Sequence, residues 1–245
     1  MADHLPALLP ALFFAGGALG SFFGVCVRRV PAGNSVLFPR SACESCASPV
    51  PPFLNIPVAG FAVCRGACRR CGAKIPRVYP VLEILCAVSA VCAAAVFGLS
   101  WEALRCFVLF SALAFAAAFD VETMTVPDFI TFPLFGAGIV LSIPDGNISE
   151  SALGAAIGGG ALLAASFFYR IARKKDGIGA GDVKLMTGAG AFTGAEGAAV
   201  AILLASAAGA AGGFAYLKAR GMKLSTPLPF APFIAAGVAA AFLFV

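Results

Sequence analysis

Charge is scarce in this chain. Asp, Glu, Lys and Arg make up only 12% of its 245 residues, while 60% are hydrophobic and the mean hydropathy is +0.95. A soluble domain carries roughly 25% charged residues, so a surface facing water on all sides is excluded. Histidine is scarcer still. The single His4 removes H-E-x-x-H metalloprotease chemistry and any Ser–His dyad, and it reads as a solvated residue near the start of the chain. No basic n-region precedes the first apolar run and no A-x-A-like site follows it. That run is therefore expected to stay in place as a membrane anchor. The glycines at 158–160 follow no predicted strand, which excludes a Rossmann loop. The formal charge of +5 raises a nucleic-acid reading, but the position of the charges argues against such a partner.

What is there is membrane-spanning sequence. A transmembrane helix needs about 20 mostly apolar residues. Candidate spans cover 5–27, 78–98, 101–119, 126–143, 152–169, 183–194, 197–217 and 228–245, the sixth being weak and short. The expected fold is an all-α polytopic membrane protein in lipid, with about eight transmembrane helices. Of the 17 Lys and Arg residues, all but Arg105 fall in three clusters, at 28–77, 170–184 and 218–223. Such an excess marks the cytoplasmic face, so both termini are expected outside. The second and third clusters share a side, and the 183–217 stretch between them is tight for two full spans. A shortened or deeply starting helix is implied there. Small residues such as Gly188, Gly190, Gly209, Gly212 and Gly213 permit close helix approach in lipid; this is a packing signal.

The only sizeable soluble insert, 28–77, is Pro-rich, basic and rich in cysteine. Cys43-x2-Cys46 and Cys68-x2-Cys71 are separated by 21 residues. Two such knuckles at this distance are a strong signal for a four-thiolate structural zinc. Arg65, Arg69 and Arg70 favour thiolates, and a segment this short needs metal to fold. Paired disulfides are the competing reading, disfavoured in a reducing cytoplasm; Cys64 could replace Cys68 as fourth ligand. Cys26, Cys86, Cys92 and Cys106 lie in or beside apolar runs and read as small hydrophobes.

Acids embedded in a membrane are costly and are functional candidates. One segment runs Phe119-Asp120-Val121-Glu122-Thr123-Met124-Thr125-Val126-Pro127-Asp128. The other runs Gly177-Ile178-Gly179-Ala180-Gly181-Asp182-Val183-Lys184. Both fall at cytoplasmic ends of spans, so they can meet. An aspartyl protease needs two carboxylates sharing one proton: one activates water, the other donates to the scissile carbonyl. The glycines before Asp182 let another backbone approach or the chain turn. The bland reading makes Asp182 a helix-start charge favoured by the macrodipole, and Asp128 and Glu122 loop or capping residues.

These residues together resemble the type IV prepilin peptidase family, also called prepilin leader peptidase/N-methyltransferase. Gly20-Ser21-Phe22 and Arg29-Val30-Pro31 are similar to its first cytoplasmic boundary. Ser35-Val36 and Pro39-Arg40-Ser41 lead into Cys43 in the same way. Asn55-Ile56-Pro57 and Tyr79-Pro80-Val81-Leu82-Glu83 fit the stretch around the second knuckle. Asp120 with Pro127-Asp128, and Gly179-Ala180-Gly181-Asp182 with Lys184, match its two aspartate motifs, and Pro229-Phe230-Ala231-Pro232 resembles its final span. The chain departs from the family's usual residues at Gly24, at Leu54 and at Arg77-Val78-Tyr79-Pro80.

The resemblance implies cleavage of the leader of prepilins or pseudopilins at the cytoplasmic face of the bacterial inner membrane. It also implies methylation of the new N-terminal residue from S-adenosylmethionine. It assigns the catalytic pair to Asp120 and Asp182, and divides the chain into a first span (1–27), a zinc insert (28–77) and a peptidase region (78–245). Two alternatives compete: a presenilin-type intramembrane protease, and a small transporter with a zinc-stabilised gate. The cysteine insert and matched flanks speak against the first, and a peptide-cleavage assay separates both.

Overall fold

A computed structural model describes residues 5–38, 40–174, 177–223 and 226–242. His4, Pro39, Lys175 and the last three residues of the expected final span lie outside the described residues. The elements are α1 (Leu5–Arg29), a 3-10 turn (Pro52–Asn55), α2 (Ala59–Val63), α3 (Val78–Phe97), α4 (Trp101–Thr123), α5 (Asp128–Val140), α6 (Ile148–Arg173), α7 (Ala180–Ala219) and α8 (Ala231–Ala241). Among the described residues there is no strand beyond two isolated bridges. The fold is all-α, as composition and apolar runs imply. Helices α1, α3, α4, α6 and α7 are long and apolar enough to cross a membrane, while α5 and α8 are shorter apolar helices.

The chain forms two compact units, Met1–Phe107 and Val108–Val245. In the first, α1 and α3 run antiparallel: Gly16 lies against Cys86 and Ala87, Gly20 against Leu82, and Gly24 against the Tyr79 ring. A Cβ on Gly20 would land on the Leu82 carbonyl, so glycine there sets how closely the backbones approach, as small residues do in lipid. The cysteine insert lies between these two helices in the chain. Glu44, inside the first knuckle, ties it to both. It accepts hydrogen bonds from Arg28 Nη2 at 2.8 Å, at the end of α1, and from Tyr79 Oη at 3.0 Å, at the start of α3.

The second unit is built around α7. Gly154 and Gly158 of α6 meet Gly190 and Met186 of α7 in antiparallel order, whereas Leu134 and Gly138 of α5 meet Gly188 and Ala191 in parallel order. Ser151 Oγ donates to the Ala191 carbonyl at 2.7 Å, knitting α6 to α7 inside the core. Helix α7 is 40 residues long but is not one rod. Gly194 has φ 71° and ψ −175°, a conformation glycine alone adopts readily. Asp182 interacts electrostatically with Asp120, whose carboxylate touches Ala231, while Gly209 packs on Phe230 and Phe233. In a straight helix residues 182 and 209 would be about 40 Å apart, yet both lie beside the start of α8. The chain therefore reverses at Gly194, and α7 is a hairpin of two arms. These arms occupy the positions of the sixth and seventh expected spans, and the first arm is short, as the spacing of the basic clusters implies.

Candidate functional site

Four helix ends of the second unit converge: the C-terminal end of α4 and the N-terminal ends of α5, α7 and α8. Asp120 lies in the last turn of α4 and is only 5% exposed. Its Oδ2 accepts the Ala231 N–H at 2.9 Å, and the Phe230 N–H is directed at the same carboxylate. These amides open α8, where no intrahelical carbonyl can take them. Pro232 follows with no N–H of its own. The sequence marked Pro229-Phe230-Ala231-Pro232 only as family-like. Its service to Asp120 is made by main-chain atoms, which leave no side-chain signature.

Asp182 is the third residue of α7, and its carboxylate takes the N–H of Gly179, the N-cap. It thus makes one half of a capping box, so the bland reading of Asp182 is correct as far as it goes. The same carboxylate also feels the charge of Asp120, which a simple cap has no need to do. Gly181 holds the arrangement: a Cβ there would sit 2.9 Å from the Val126 carbonyl oxygen and 3.0 Å from Val126 Cβ. The chain opening α7 is pressed against the α4–α5 connection, a close approach of the kind its glycines permit. Asp128, in the first turn of α5, receives Lys184 Nζ at 2.6 Å; both side chains are substantially exposed. Glu122 is exposed, on the last turn of α4.

In the first unit Cys43, Cys46, Cys68 and Cys71 come together, with all four sulfurs within 4.8 Å of one another. Cys43 and Cys71 are 3.7 Å apart, Cys46 and Cys68 4.0 Å. Metal–sulfur bonds of about 2.3 Å in a tetrahedron place ligand sulfurs about 3.8 Å apart, so the donor set fits a tetrahedral ion. Cys64 stands outside this group as the C-cap of α2.

The two knuckles repeat one another. Cys43 N–H donates to Ser48 O and Ala47 N–H to Cys43 O; Cys68 N–H donates to Ala73 O and Gly72 N–H to Cys68 O. Ala47 and Gly72 both have positive φ, and the bridges Ala42–Pro49 and Ala67–Lys74 close the two turns. The N–H groups of Cys71 and Arg70 lower the Cys68 thiol to about 6, and the Ser48 hydroxyl lowers Cys46. The Ala73 N–H favours thiolate at Cys71 as well, but the crowding sulfurs raise that thiol to about 11. Four thiols this close cannot all ionise without a cation among them.

Helices of spanning length, one unit with two electrostatically interacting carboxylates and one unit with a four-thiolate cluster describe a polytopic membrane protein with the parts of an aspartyl peptidase. Residues 14–97 match the bacterial peptidase A24 N-terminal domain, and 107–214 match the type IV leader peptidase family. A prepilin leader peptidase/N-methyltransferase of Burkholderia pseudomallei is 36% identical over the whole of this chain and 80% of its own length. One of Aeromonas hydrophila is 31% identical, covering 96% of this chain and 90% of the relative; one of Pseudomonas aeruginosa is 28% identical with the same coverage. The chain belongs to the type IV leader peptidase family. No solved structure matches it.

Proposed function

We propose that this protein removes the leader peptide from type IV prepilins or pseudopilins and methylates the N-terminal residue so exposed. Asp120 and Asp182 are the catalytic pair in this reading. The observation that carries it is the meeting of two carboxylates from α4 and α7 at a convergence of helix ends. The ionised partner takes a proton from water as the oxygen attacks the scissile carbonyl carbon. The protonated partner donates to the carbonyl oxygen. The resulting tetrahedral carbon expels the amine, which takes its proton from the aspartate that accepted one from water, while a hydroxyl proton of the tetrahedral carbon returns to the other aspartate as the carbonyl re-forms. The amides of Phe230, Ala231 and Gly179 hold the two carboxylates in place throughout.

Zn2+ is the ion that the four cysteines suit best, since soft thiolates in tetrahedral array select it. It would hold the insert folded and take no part in hydrolysis. S-adenosylmethionine supplies the methyl group when bound. In the proposed division of labour, 1–27 anchors the chain, 28–77 is the metal-bearing insert and 78–245 contains the peptidase aspartates. The enzyme resides in the bacterial inner membrane with its working face on the cytoplasmic side, where the basic clusters lie. The match over 14–97 covers the cysteine insert, which the presenilin-type and transporter readings leave without a counterpart.

The test is to mix detergent-solubilised protein with a full-length prepilin and follow leader loss by gel and methylation by mass spectrometry. A shortened, methylated product is expected. No shortened product from a folded, metal-loaded preparation overturns the reading.

A further inference from the structure

A cavity of about 440 Å³ lies along the C-terminal half of α1, in the first unit. Its helical wall runs from Ala18 through Phe22 and Val25 to Arg29, a rise of about 16 Å. That wall is apolar until it ends on a guanidinium. The insert supplies the facing wall, with Val36, Leu37 and a second cation, Arg40. Among the described residues no acid lines this cavity. The nearby Glu44 also feels the charge of Arg29, but it is bonded to Arg28 and Tyr79.

The insert is held against the helix end. Arg29 Nη1 donates to the Ser35 carbonyl at 3.1 Å, and Nη2 to the Arg40 carbonyl at 3.5 Å. These acceptors are neutral, so they leave the positive charge in place. Ser35 Oγ accepts the N–H groups of both Leu37 and Phe38 at 3.2 Å. The side chains so fixed point outward: Leu37 is 70% exposed and Phe38 74%. Phe22 and Val30 of α1 are exposed beside them. Large apolar side chains next to arginines, at the end of a helix of spanning length, have the composition of a membrane boundary.

We infer that this cavity seats an anionic phospholipid of the cytoplasmic leaflet, with its phosphate between Arg29 and Arg40 and an acyl chain along Phe22 and Val25. The inference rests on the proposed cytoplasmic placing of the basic clusters, and on neither leader cleavage nor methylation. The polarity of the wall carries it. Cations stand at the cytoplasmic end of α1 and apolar residues toward the bilayer centre, the order of headgroup and tail in that leaflet. Arginine forks suit phosphate oxygens. A zwitterionic headgroup brings its own cation and gains less from them. A small soluble anion has no use for the apolar wall.

Two measurements on the full-length, metal-loaded protein test it. In the first, delipidated protein in neutral detergent is titrated with phosphatidylglycerol, phosphatidylcholine or glycerol phosphate, and bound molecules are counted by native mass spectrometry. Wild type should hold phosphatidylglycerol in preference to both others. The exposed change Arg40→Gln should weaken that binding by about fivefold or more, with metal content kept. Equal binding of the two lipids, equal binding of glycerol phosphate, or unchanged binding in Arg40→Gln overturns the inference. In the second, Trp101→Phe with Phe38→Trp places a single fluorophore in the turn, in vesicles holding a minor share of acyl-brominated lipid. Brominated phosphatidylglycerol should quench it more than brominated phosphatidylcholine; equal quenching or none overturns the site. A periplasmic reporter signal at residue 60 would instead overturn the topology, and with it the leaflet named here.

Discussion

Lys184 donates to Asp128 across 2.6 Å, joining the residue two places after Asp182 to the first turn of α5. The pair bridges the two aspartate motifs without either member being buried. Exposed ion pairs contribute about 0–1 kcal/mol, and in the proposed mechanism this bridge positions and does not react. Asp128→Asn and Lys184→Met should each lower kcat/KM for leader removal by less than about fivefold. Asp120→Asn and Asp182→Asn should lower it by about 100-fold or more, because an amide cannot take or relay the proton. If Asp128→Asn is as inactive as these, Asp128 is more than a positioning contact; if Asp120→Asn or Asp182→Asn cleaves at near wild-type rate, the proposed pair is wrong.

Gly181→Ala tests the close approach that sets the pair. The added methyl meets Val126 backbone at 2.9 Å, and overpacking of this kind costs about 1–3 kcal/mol. Leader cleavage should fall about tenfold or more, while methylation of a precleaved peptide stays near wild type. Equal loss of both activities would show a general folding defect and not a displaced aspartate.

Metal content is the third expectation. Purified protein should carry about one zinc per chain, as a four-thiolate site implies. Cys43→Ser with Cys46→Ser should remove it and make residues 28–77 sensitive to protease. Cys64→Ser should leave it. Full zinc in the double variant contradicts the assigned ligands.

Topology can be read with reporter fusions. Fusions at 60, 173 and 221 should report cytoplasm, and those at 147 and 245 periplasm. A periplasmic signal at 60 would move the metal insert and the basic clusters to the wrong side of the membrane.

Much of this was written in side chains and so could be read early. The knuckle cysteines announce themselves by spacing, and the apolar runs by length. Asp120 and Asp182 stand out because acids are rare in such surroundings. Other features rest on main-chain geometry. The amides of Phe230 and Ala231 that hold Asp120 have no residue code, nor does the Val58 N–H that holds Glu83. Glu83, buried on α3, was visible only as part of a family-like string, since its burial depends on α1 lying beside α3. The reversal at Gly194 was half legible: the basic clusters required two crossings or none, and any of several glycines could have made the turn.

The Gly194 turn has a consequence for how the enzyme meets its bilayer. The first arm, residues 180–193, rises only about 21 Å, against a hydrocarbon slab of about 30 Å. An arm that short leaves a hydrophobic mismatch of about 9 Å, relieved by thinning the lipid or by seating the helix start below the headgroups. Asp182 stands at that start. In the proposed mechanism the lipid boundary is thus brought to the carboxylates, giving the hydrolytic water a short route inward. A substrate anchored by its own apolar segment need not be drawn out of the membrane to be cut.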